Sequence, residues 1–142
     1  MDISNNAKKA RPSSTLSISS NANRMIDEGI DIVNFSAGEP DFNTPDYIKE
    51  AAIEAINDNF TKYTPYEGIV ELRQAVADDL KKNCDLDYTP EQIVISNGSK
   101  HAITNAFMAI LNPGDEVIVP APYWNSYIDI IELCYGVTVV VN

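Results

Sequence analysis

Residues 93–111, IVISNGSKHAITNAFMAIL, join three short patterns that decide the fold of this chain. Residues 93–95 form a β-branched run, which is typical of a buried strand. Small and polar residues follow around Gly98, and apolar residues then recur at helical spacing as far as Leu111. The stretch therefore predicts a strand, a tight turn and a helix. We call residues 96–100 the glycine turn.

The glycine turn has the features of an anion cradle. The first backbone N–H groups of a helix have no partner within the helix and lie at the positive end of its dipole, where they favour a phosphate or a carboxylate. Gly98 lets the backbone approach a ligand closely, and the Ser99 hydroxyl can cap the helix or bind an oxyanion. The spacing matches neither standard glycine-rich nucleotide motif, and ordinary turn residues explain the same letters. Taken alone, this stretch leaves an anion site and a plain turn both open.

The segments after the central helix continue the alternation of helices and strands. NPGD at residues 112–115 is a turn, a short apolar strand follows at residues 117–119, and a helical stripe runs to Cys134. Gly136 breaks that helix, and residues 137–141 form another apolar strand. The order β-α-β-α-β predicts an α/β fold with a parallel sheet that helices cover on both faces.

The first half of the chain is predicted to contain three helices. The first ends near Glu28, before Gly29, and a short strand follows at residues 30–35. The second has Thr44 as its N-cap and Pro45 at its first position. Between the second and third helices lies an extended segment with two tyrosines around Pro65 and Gly68, and we call residues 62–68 the aromatic turn. The third helix is predicted to direct four apolar residues inward: Ile69, Leu72, Val76 and Leu80.

Composition excludes several classes of function. The net charge is −11 with only ten scattered basic residues, which disfavours nucleic acid as a partner. No apolar run reaches membrane-spanning length, so we expect no membrane partner and a soluble, cytoplasmic protein. Cys84 and Cys134 have no metal-ligand spacing, and Cys134 is predicted to be a small buried hydrophobe. The single histidine, His101, is expected on a helix surface, and we expect no metal site.

Three predicted loops leave the carboxyl ends of strands, where open α/β sheets bind ligands. Residues 36–41 offer a backbone-rich rim, residues 97–100 an anion cradle, and residues 120–124 an aromatic face. A planar, phosphorylated cofactor has the shape and charge to contact all three.

Four sequence motifs, in this order and spacing, resemble one known family. They are SAGEPDF at residues 36–42, KYTPYEGIVELRQAV at 62–76, SNGSKHAI at 96–103 and NPGDEVIVPAPYW at 112–124. Together they resemble the N-terminal third of the class I and II pyridoxal-phosphate aminotransferases, and most of all the bacterial-type aspartate aminotransferases. The resemblance extends over residues 12–142. It implies part of the fold-type I architecture, with the first strands of the α/β/α large domain.

The resemblance implies a role for five residues. Ser99 and Lys100 match the positions whose backbone amides hold the phosphate of pyridoxal 5'-phosphate, with the Ser99 hydroxyl as a further donor. Trp124 matches the aromatic residue that stacks on the pyridine ring and borders the substrate. Gly38 matches a position beside the substrate carboxylate. Tyr63 matches a tyrosine that reaches the cofactor phosphate of the neighbouring subunit.

The same resemblance implies the organisation and the activity of the protein. Residues 1–45 correspond to an N-terminal arm, a helix and a substrate-side loop, as part of the small domain, and residues 46–142 to the start of the cofactor-binding large domain. The implied reaction transfers the amino group of an amino acid, with aspartate expected, to a 2-oxo acid such as 2-oxoglutarate. The implied assembly is a homodimer.

The catalytic machinery of the family has no counterpart in this chain. Its Schiff-base lysine and the aspartate that pairs with the pyridine nitrogen belong to later parts of the family sequence. Lys100 is not that lysine, because in the family pattern its amide faces the phosphate and its side chain points elsewhere. We therefore expect no catalytic residue here and no transamination by these residues alone. The end of the chain directly after an apolar strand leads us to expect the front part of a longer protein.

Two other functions remain open at this stage. The chain could be a short, non-catalytic protein that pairs with a full-length relative through the aromatic turn. It could also be a phosphate- or nucleotide-binding module of another α/β class, which the missing nucleotide motif disfavours. Arg73 invites an anion-binding role, but Glu71 and Asp78 lie nearby on the same helix, so a structural ion pair is expected instead.

Overall fold

The computed structural model describes residues 2–9, 13–36 and 38–142. Its elements are five α-helices and two strands: α1 (Ser14–Asp27), α2 (Asp46–Asn57), α3 (Val70–Cys84), α4 (Gly98–Ile110), β1 (Glu116–Pro120), α5 (Ser126–Leu133) and β2 (Val137–Val141). Short 3₁₀ turns lie at Ala7–Lys9 and Pro90–Gln92. The chain divides into two compact units, one ending at Glu54 and the other comprising Ala55–Asn142.

The helices of the first half begin and end close to the predicted residues. The Ser13 hydroxyl accepts the Leu16 N–H and so caps α1, which ends at Asp27, two residues before the predicted stop at Gly29. Helix α2 begins at Asp46, and the Pro45 carbonyl accepts the amides of Ile48 and Lys49. The helix therefore starts one residue later than predicted.

Helix α3 turns most of the predicted face inward, with one exception. Ile69, Val76 and Leu80 are half-buried as expected, but the Leu72 side chain is 44 % exposed. Ala77 is buried, and the half-buried Arg73 lies on the same helical face. The prediction that Leu72 faces inward is therefore wrong, because the neighbouring Arg73 takes the inward position on the helix.

The sheet of the second unit is parallel, as predicted, with two strands. Residues of β1 and β2 pair in register from Glu116 with Val137 to Pro120 with Val141. Two further bonds extend the ladder, from the Val137 N–H to the Asp115 carbonyl and from the Ala121 N–H to the Val141 carbonyl, both at 2.8 Å. These strands and the α5 helix between them form the predicted β-α-β crossover unit.

Two predicted strands are absent from the described residues. Residues 30–35 and 93–95 have no strand assignment, and the sheet contains only β1 and β2. A strand requires a ladder of hydrogen bonds to a neighbour, but residues 93–95 make isolated bonds instead. The Ile93 N–H donates to the Pro90 carbonyl at 3.2 Å, and the Ile95 N–H donates to the Glu67 carbonyl at 2.8 Å. A β-branched run signals strand propensity, whereas pairing depends on a partner elsewhere in the chain.

The core of the second unit lies between the sheet and helix α5. Val119, Ile130, Ile131 and Cys134 are buried, and Ile131 has no exposed surface. The opposite face of β1 is open, because Ile118 is 67 % exposed. The prediction that helices cover both faces of the sheet is therefore not met by the residues that the structure describes. Among the described residues, no helix combines the length and the apolar character needed to cross a membrane.

Candidate functional site

The glycine turn leads directly into α4, as the sequence predicts. Gly98 has φ of +79°, a conformation that side chains with a Cβ rarely adopt, and no atom lies within 4 Å of the position that a Cβ would occupy. The backbone at Gly98 is therefore open to the approach of a ligand.

Two amides of the glycine turn already have partners within the chain. The Gly98 N–H donates to the Ser96 carbonyl at 2.8 Å. The Asn97 N–H donates to Nδ1 of His101 at 3.0 Å. Asn97 itself makes no side-chain cap, and Ser99 and Lys100 lie exposed in the first turn of a 13-residue helix. Their amides belong to the first turn, where backbone N–H groups have no partner within the helix.

His101 is exposed on α4, as predicted, and it has a function that sequence reasoning missed. Its imidazole Nδ1 accepts a hydrogen bond from the backbone N–H of Asn97, the N-cap residue of α4. Capping rules look for a side chain at the N-cap itself, so a histidine four residues later gives no signal of this kind. His101 thereby helps to set the conformation of the glycine turn.

Trp124 lies beyond the carboxyl end of β1, and the structure brings it close to the glycine turn. The Lys100 ammonium lies over the indole, 5.1 Å from the ring centroid, within the range of a cation–π interaction. The indole also meets the Tyr127 ring edge-on, with centroids 5.5 Å apart and planes at 84°. The Trp124 carbonyl accepts the Tyr127 N–H at 2.9 Å, at the start of α5. Trp124 is 42 % exposed, so part of its surface remains accessible.

An apolar cleft of about 520 Å³ begins at Trp124 and follows strand β1. Its lining contains no charged side chain and consists of Phe107, Val117, Ile118, Val119, Pro120, Pro122, Tyr123, Trp124, Tyr127 and Ile131. Ser99 and Lys100 do not line it. The polar glycine turn and the apolar cleft are thus separate surfaces, and Trp124 is the residue next to both.

The other two candidate residues lie in open positions. Tyr63, in the aromatic turn, is fully exposed. Gly38 belongs to the unit that ends at Glu54, where its backbone is exposed and a Cβ would meet no atom within 4 Å. Both positions are therefore exposed in the part of the chain that the structure describes.

Arg73 does not form the ion pair that the sequence suggests. Its Nε donates to the Gly68 carbonyl at 3.0 Å and its Nη1 to the Pro90 carbonyl at 2.8 Å.

Two side chains near Arg73 have shifted pKa values. A hydrogen bond to the Glu67 side chain raises the pKa of Tyr66, and the Arg73 charge opposes this. A hydrogen bond from Thr89 lowers the pKa of Glu91.

Comparison with known proteins places these features in a family. Residues 30–142 match the family model described as aminotransferase class I and II. A protein named as a probable aspartate/prephenate aminotransferase, from Rhizobium leguminosarum bv. phaseoli, is 52 % identical over 128 residues, which are 90 % of this chain and 32 % of the relative. The aspartate aminotransferase of Bacillus sp. strain YM-2 is 44 % identical over 140 residues, 99 % of this chain and 36 % of the relative. The chain thus spans about a third of the length of these relatives.

Solved structures give the same result for the fold. The aspartate aminotransferase of Thermus thermophilus, solved with maleate, superposes with a TM-score of 0.94 at 42 % identity, over 99 % of this chain and 37 % of that one. The aspartate aminotransferase of Rhizobium meliloti superposes with a TM-score of 0.90 at 39 % identity, over 99 % and 35 %. The match excludes a module of another α/β class and confirms part of the fold-type I architecture. The chain belongs to the class I and II aminotransferase family.

Proposed function

We propose that the full-length protein is an aminotransferase that uses pyridoxal 5'-phosphate, and that this chain provides the phosphate and ring contacts for the cofactor. The observation that carries the proposal is the 5.1 Å approach of the Lys100 ammonium to the Trp124 ring, which sets the glycine turn beside an accessible aromatic platform. A phosphorylated pyridine ring needs these two surfaces side by side.

The glycine turn fits a phosphate group. The exposed amides of Ser99 and Lys100 and the Ser99 hydroxyl provide three donors at the positive end of α4. The open position at Gly98 allows the phosphate oxygens to approach the backbone. Hydrogen bonds to an ionised group are roughly twice as strong as those between neutral groups, so these donors anchor the cofactor by its phosphate.

Trp124 fits the role of ring platform and substrate neighbour. Its edge-on contact with Tyr127 fixes the orientation of the indole. Pyridoxal phosphate, when bound, provides an aldehyde and an electron-withdrawing ring that accepts electron density from the substrate. Trp124 holds that ring in one plane and shields one of its faces from water. The Lys100 ammonium adds a positive charge over the indole ring.

Gly38 and Tyr63 complete the proposed contacts. The open backbone at Gly38 leaves room for the carboxylate of an amino acid substrate. The fully exposed Tyr63 suits a contact with the cofactor phosphate of a neighbouring subunit, which supports a homodimer of the full-length protein. We place the small-domain part of the chain at residues 1–45 and the start of the large domain at residues 46–142.

We propose aspartate as the amino donor, 2-oxoglutarate as an acceptor and the cytoplasm as the location. The relatives named as aspartate or aspartate/prephenate aminotransferases support this substrate class. Maleate, present in the Thermus thermophilus structure, is a dicarboxylate like aspartate. The net charge of −11 argues against nucleic acid as a partner.

The 142 residues by themselves are proposed not to transaminate. The lysines of the chain are Lys8, Lys9, Lys49, Lys62, Lys81, Lys82 and Lys100. None matches the family's Schiff-base lysine, so we propose that no lysine here holds the cofactor covalently in the site or moves a proton between substrate and cofactor. The alternative is a short, non-catalytic protein that pairs with a full-length relative, and the exposed aromatic turn is the feature that favours it.

Fluorescence of Trp124, the single tryptophan of the chain, tests the proposed cofactor site. The titrant is 4-deoxypyridoxine 5'-phosphate, which carries the ring and phosphate but has no aldehyde to react with surface lysines. We expect saturable quenching of Trp124. Ser99→Ala should weaken binding roughly tenfold by removing a donor to a charged group.

Ser20→Ala is the matched control, because Ser20 is exposed on α1 in the other compact unit, and it should leave binding unchanged. Quenching by 4-deoxypyridoxine without phosphate at equal concentration, or equal affinity of Ser99→Ala and the unchanged chain, contradicts the phosphate site. The same preparation, mixed with pyridoxal phosphate, aspartate and 2-oxoglutarate, should form no glutamate. Glutamate formation at an enzyme-like rate contradicts the inactivity of the isolated chain.

A further inference from the structure

We propose that Arg73 is a positioning residue that joins the aromatic turn to the glycine turn. Its guanidinium lies on the inward face of α3 and contacts two backbone carbonyls. One belongs to Gly68, which ends the aromatic turn, and the other to Pro90, in the segment that precedes the glycine turn. The inference rests on the proposed function, because it concerns how the proposed phosphate donors are held in place.

The guanidinium bridges two segments that are distant in sequence. Nε donates to the carbonyl of Gly68, the last residue of the aromatic turn, and Nη1 donates to the carbonyl of Pro90. Both bonds are partly buried, at 3.0 and 2.8 Å. The planar fork of arginine holds two acceptors at a fixed separation, whereas a lysine ammonium is a point donor on a flexible stem. The bridge therefore depends on arginine in particular.

A second link brings the aromatic turn to the edge of the glycine turn itself. The Ile95 N–H donates to the Glu67 carbonyl at 2.8 Å, and Ile95 immediately precedes Ser96. A Cβ on Gly68 would lie only 2.8 Å from the Ile95 Cβ, so the Ile95 side chain packs on the Gly68 backbone as closely as a glycine allows. The guanidinium and this backbone contact thus hold residues 90–95 against residues 67–68.

The consequence is mechanical coupling between the two proposed phosphate contacts. Tyr63 lies five residues before Gly68, and Ser99 lies four residues after Ile95. Arg73 touches neither of them and acts through the backbone. In a homodimer, Arg73 would hold the glycine turn of its own subunit. It would also hold the aromatic turn, whose Tyr63 is proposed to contact the cofactor phosphate of the neighbouring subunit.

The test uses the ¹⁵N-labelled 142-residue chain titrated with inorganic phosphate. The shifts of the Ser99 and Lys100 amides report phosphate binding, and hydrogen exchange of the Ile95 amide without phosphate reports the link to Glu67. We expect Arg73→Lys and Arg73→Gln each to weaken phosphate binding roughly tenfold and to accelerate Ile95 exchange by a similar factor, since two charge-assisted bonds are lost or reduced.

Arg24→Gln is the matched control, because Arg24 is exposed on α1 and pairs with Glu28, the residue after the helix, and it should change neither readout. The Val119 and Ile131 amides report whether the buried core of each variant is intact. If Arg73→Gln loses that core, Arg73→Lys, which keeps the charge and most of the stem, decides the result. If Arg73→Lys binds phosphate as tightly as the unchanged chain, the two-acceptor bridge of the guanidinium is not needed for phosphate binding. That result would overturn the inference.

The two proposals fail in different ways. If phosphate shifts the Ser99 and Lys100 amides equally in the unchanged chain and in both Arg73 variants, the positioning role is wrong and the phosphate site stands. If phosphate shifts neither amide in the unchanged chain, both proposals are wrong.

Discussion

Cys134 shows how packing determines the chemistry of a single residue. It follows α5 directly, its side chain is only 6 % exposed, and its thiol lies 3.9 Å from the Thr104 carbonyl. Burial raises the pKa of the Cys134 thiol, because the thiolate would lose its hydration. Cys84, at the end of α3, is exposed. One chain therefore contains a protected and an accessible thiol.

We predict that iodoacetamide modifies Cys84 at least about tenfold faster than Cys134 in the folded chain, because only the accessible thiolate reacts readily. Mass spectrometry of the modified peptides measures both rates. Burial favours the protonated thiol, so the folded state binds the Cys134 proton more tightly than the unfolded state. The contribution of Cys134 to stability is complete below the ordinary thiol pKa and is lost as pH rises towards the raised value. Equal rates before denaturation contradict this prediction, and equal rates after it are expected.

Candidate site residues could be named from the sequence where they belong to a motif. Contacts between residues that are distant in the sequence could not be predicted. Trp124 and Ser99 were predicted from the motifs PAPYW and SNGSK, and the structure brings the turn that contains Ser99 close to Trp124 through Lys100. The bridge made by Arg73 could not be predicted, because its acceptor Pro90 is 17 residues away. The bond between Asn97 and His101 was missed for a different reason, since it reverses the usual direction of an N-cap.

At the scale of elements, helices were predicted well and strands only in part. A helix satisfies its hydrogen bonds within one segment, so local periodicity and caps determine its existence, as for α1 and α4. A strand depends on a neighbour, and β1 and β2 have each other. Residues 30–35 and 93–95 carry the same kind of apolar run but have no ladder partner among the described residues.

The contact between the aromatic turn and residues 93–95 makes Gly68 sensitive to substitution. Gly68→Ala should destabilise the second unit by about 2–4 kcal/mol, because it combines strain at φ of +104° with overlap against Ile95. Urea unfolding followed by Trp124 fluorescence measures the change.

Gly114→Ala is the control for this substitution. Gly114 lies in the same unit with φ of +92°, but its Cβ position is open, so we expect a loss of only about 1 kcal/mol from backbone strain. If both variants lose the same free energy of unfolding, the packing of Gly68 on Ile95 is unimportant.

At the scale of the whole molecule, many large apolar residues of the described chain are exposed. It spans about a third of the length of its relatives, and Ile118 on the open face of the sheet is largely exposed. The fold class could be predicted from the sequence, because the alternation of helices and strands is a local pattern. Coverage of both sheet faces was predicted wrongly, because it depends on long-range packing against residues such as Ile118, which no local pattern specifies. The proposed cofactor contacts do not depend on that coverage.

The central claim is that the amides of the glycine turn and the indole of Trp124 bind one phosphorylated ring. Titration of the ¹⁵N-labelled chain with 4-deoxypyridoxine 5'-phosphate tests it most directly, because the Ser99 and Lys100 amides and the Trp124 indole N–H are observed in the same spectra. We expect all three signals to shift with a single dissociation constant. Shifts of the amides without the indole, or of the indole without the amides, would contradict the claim.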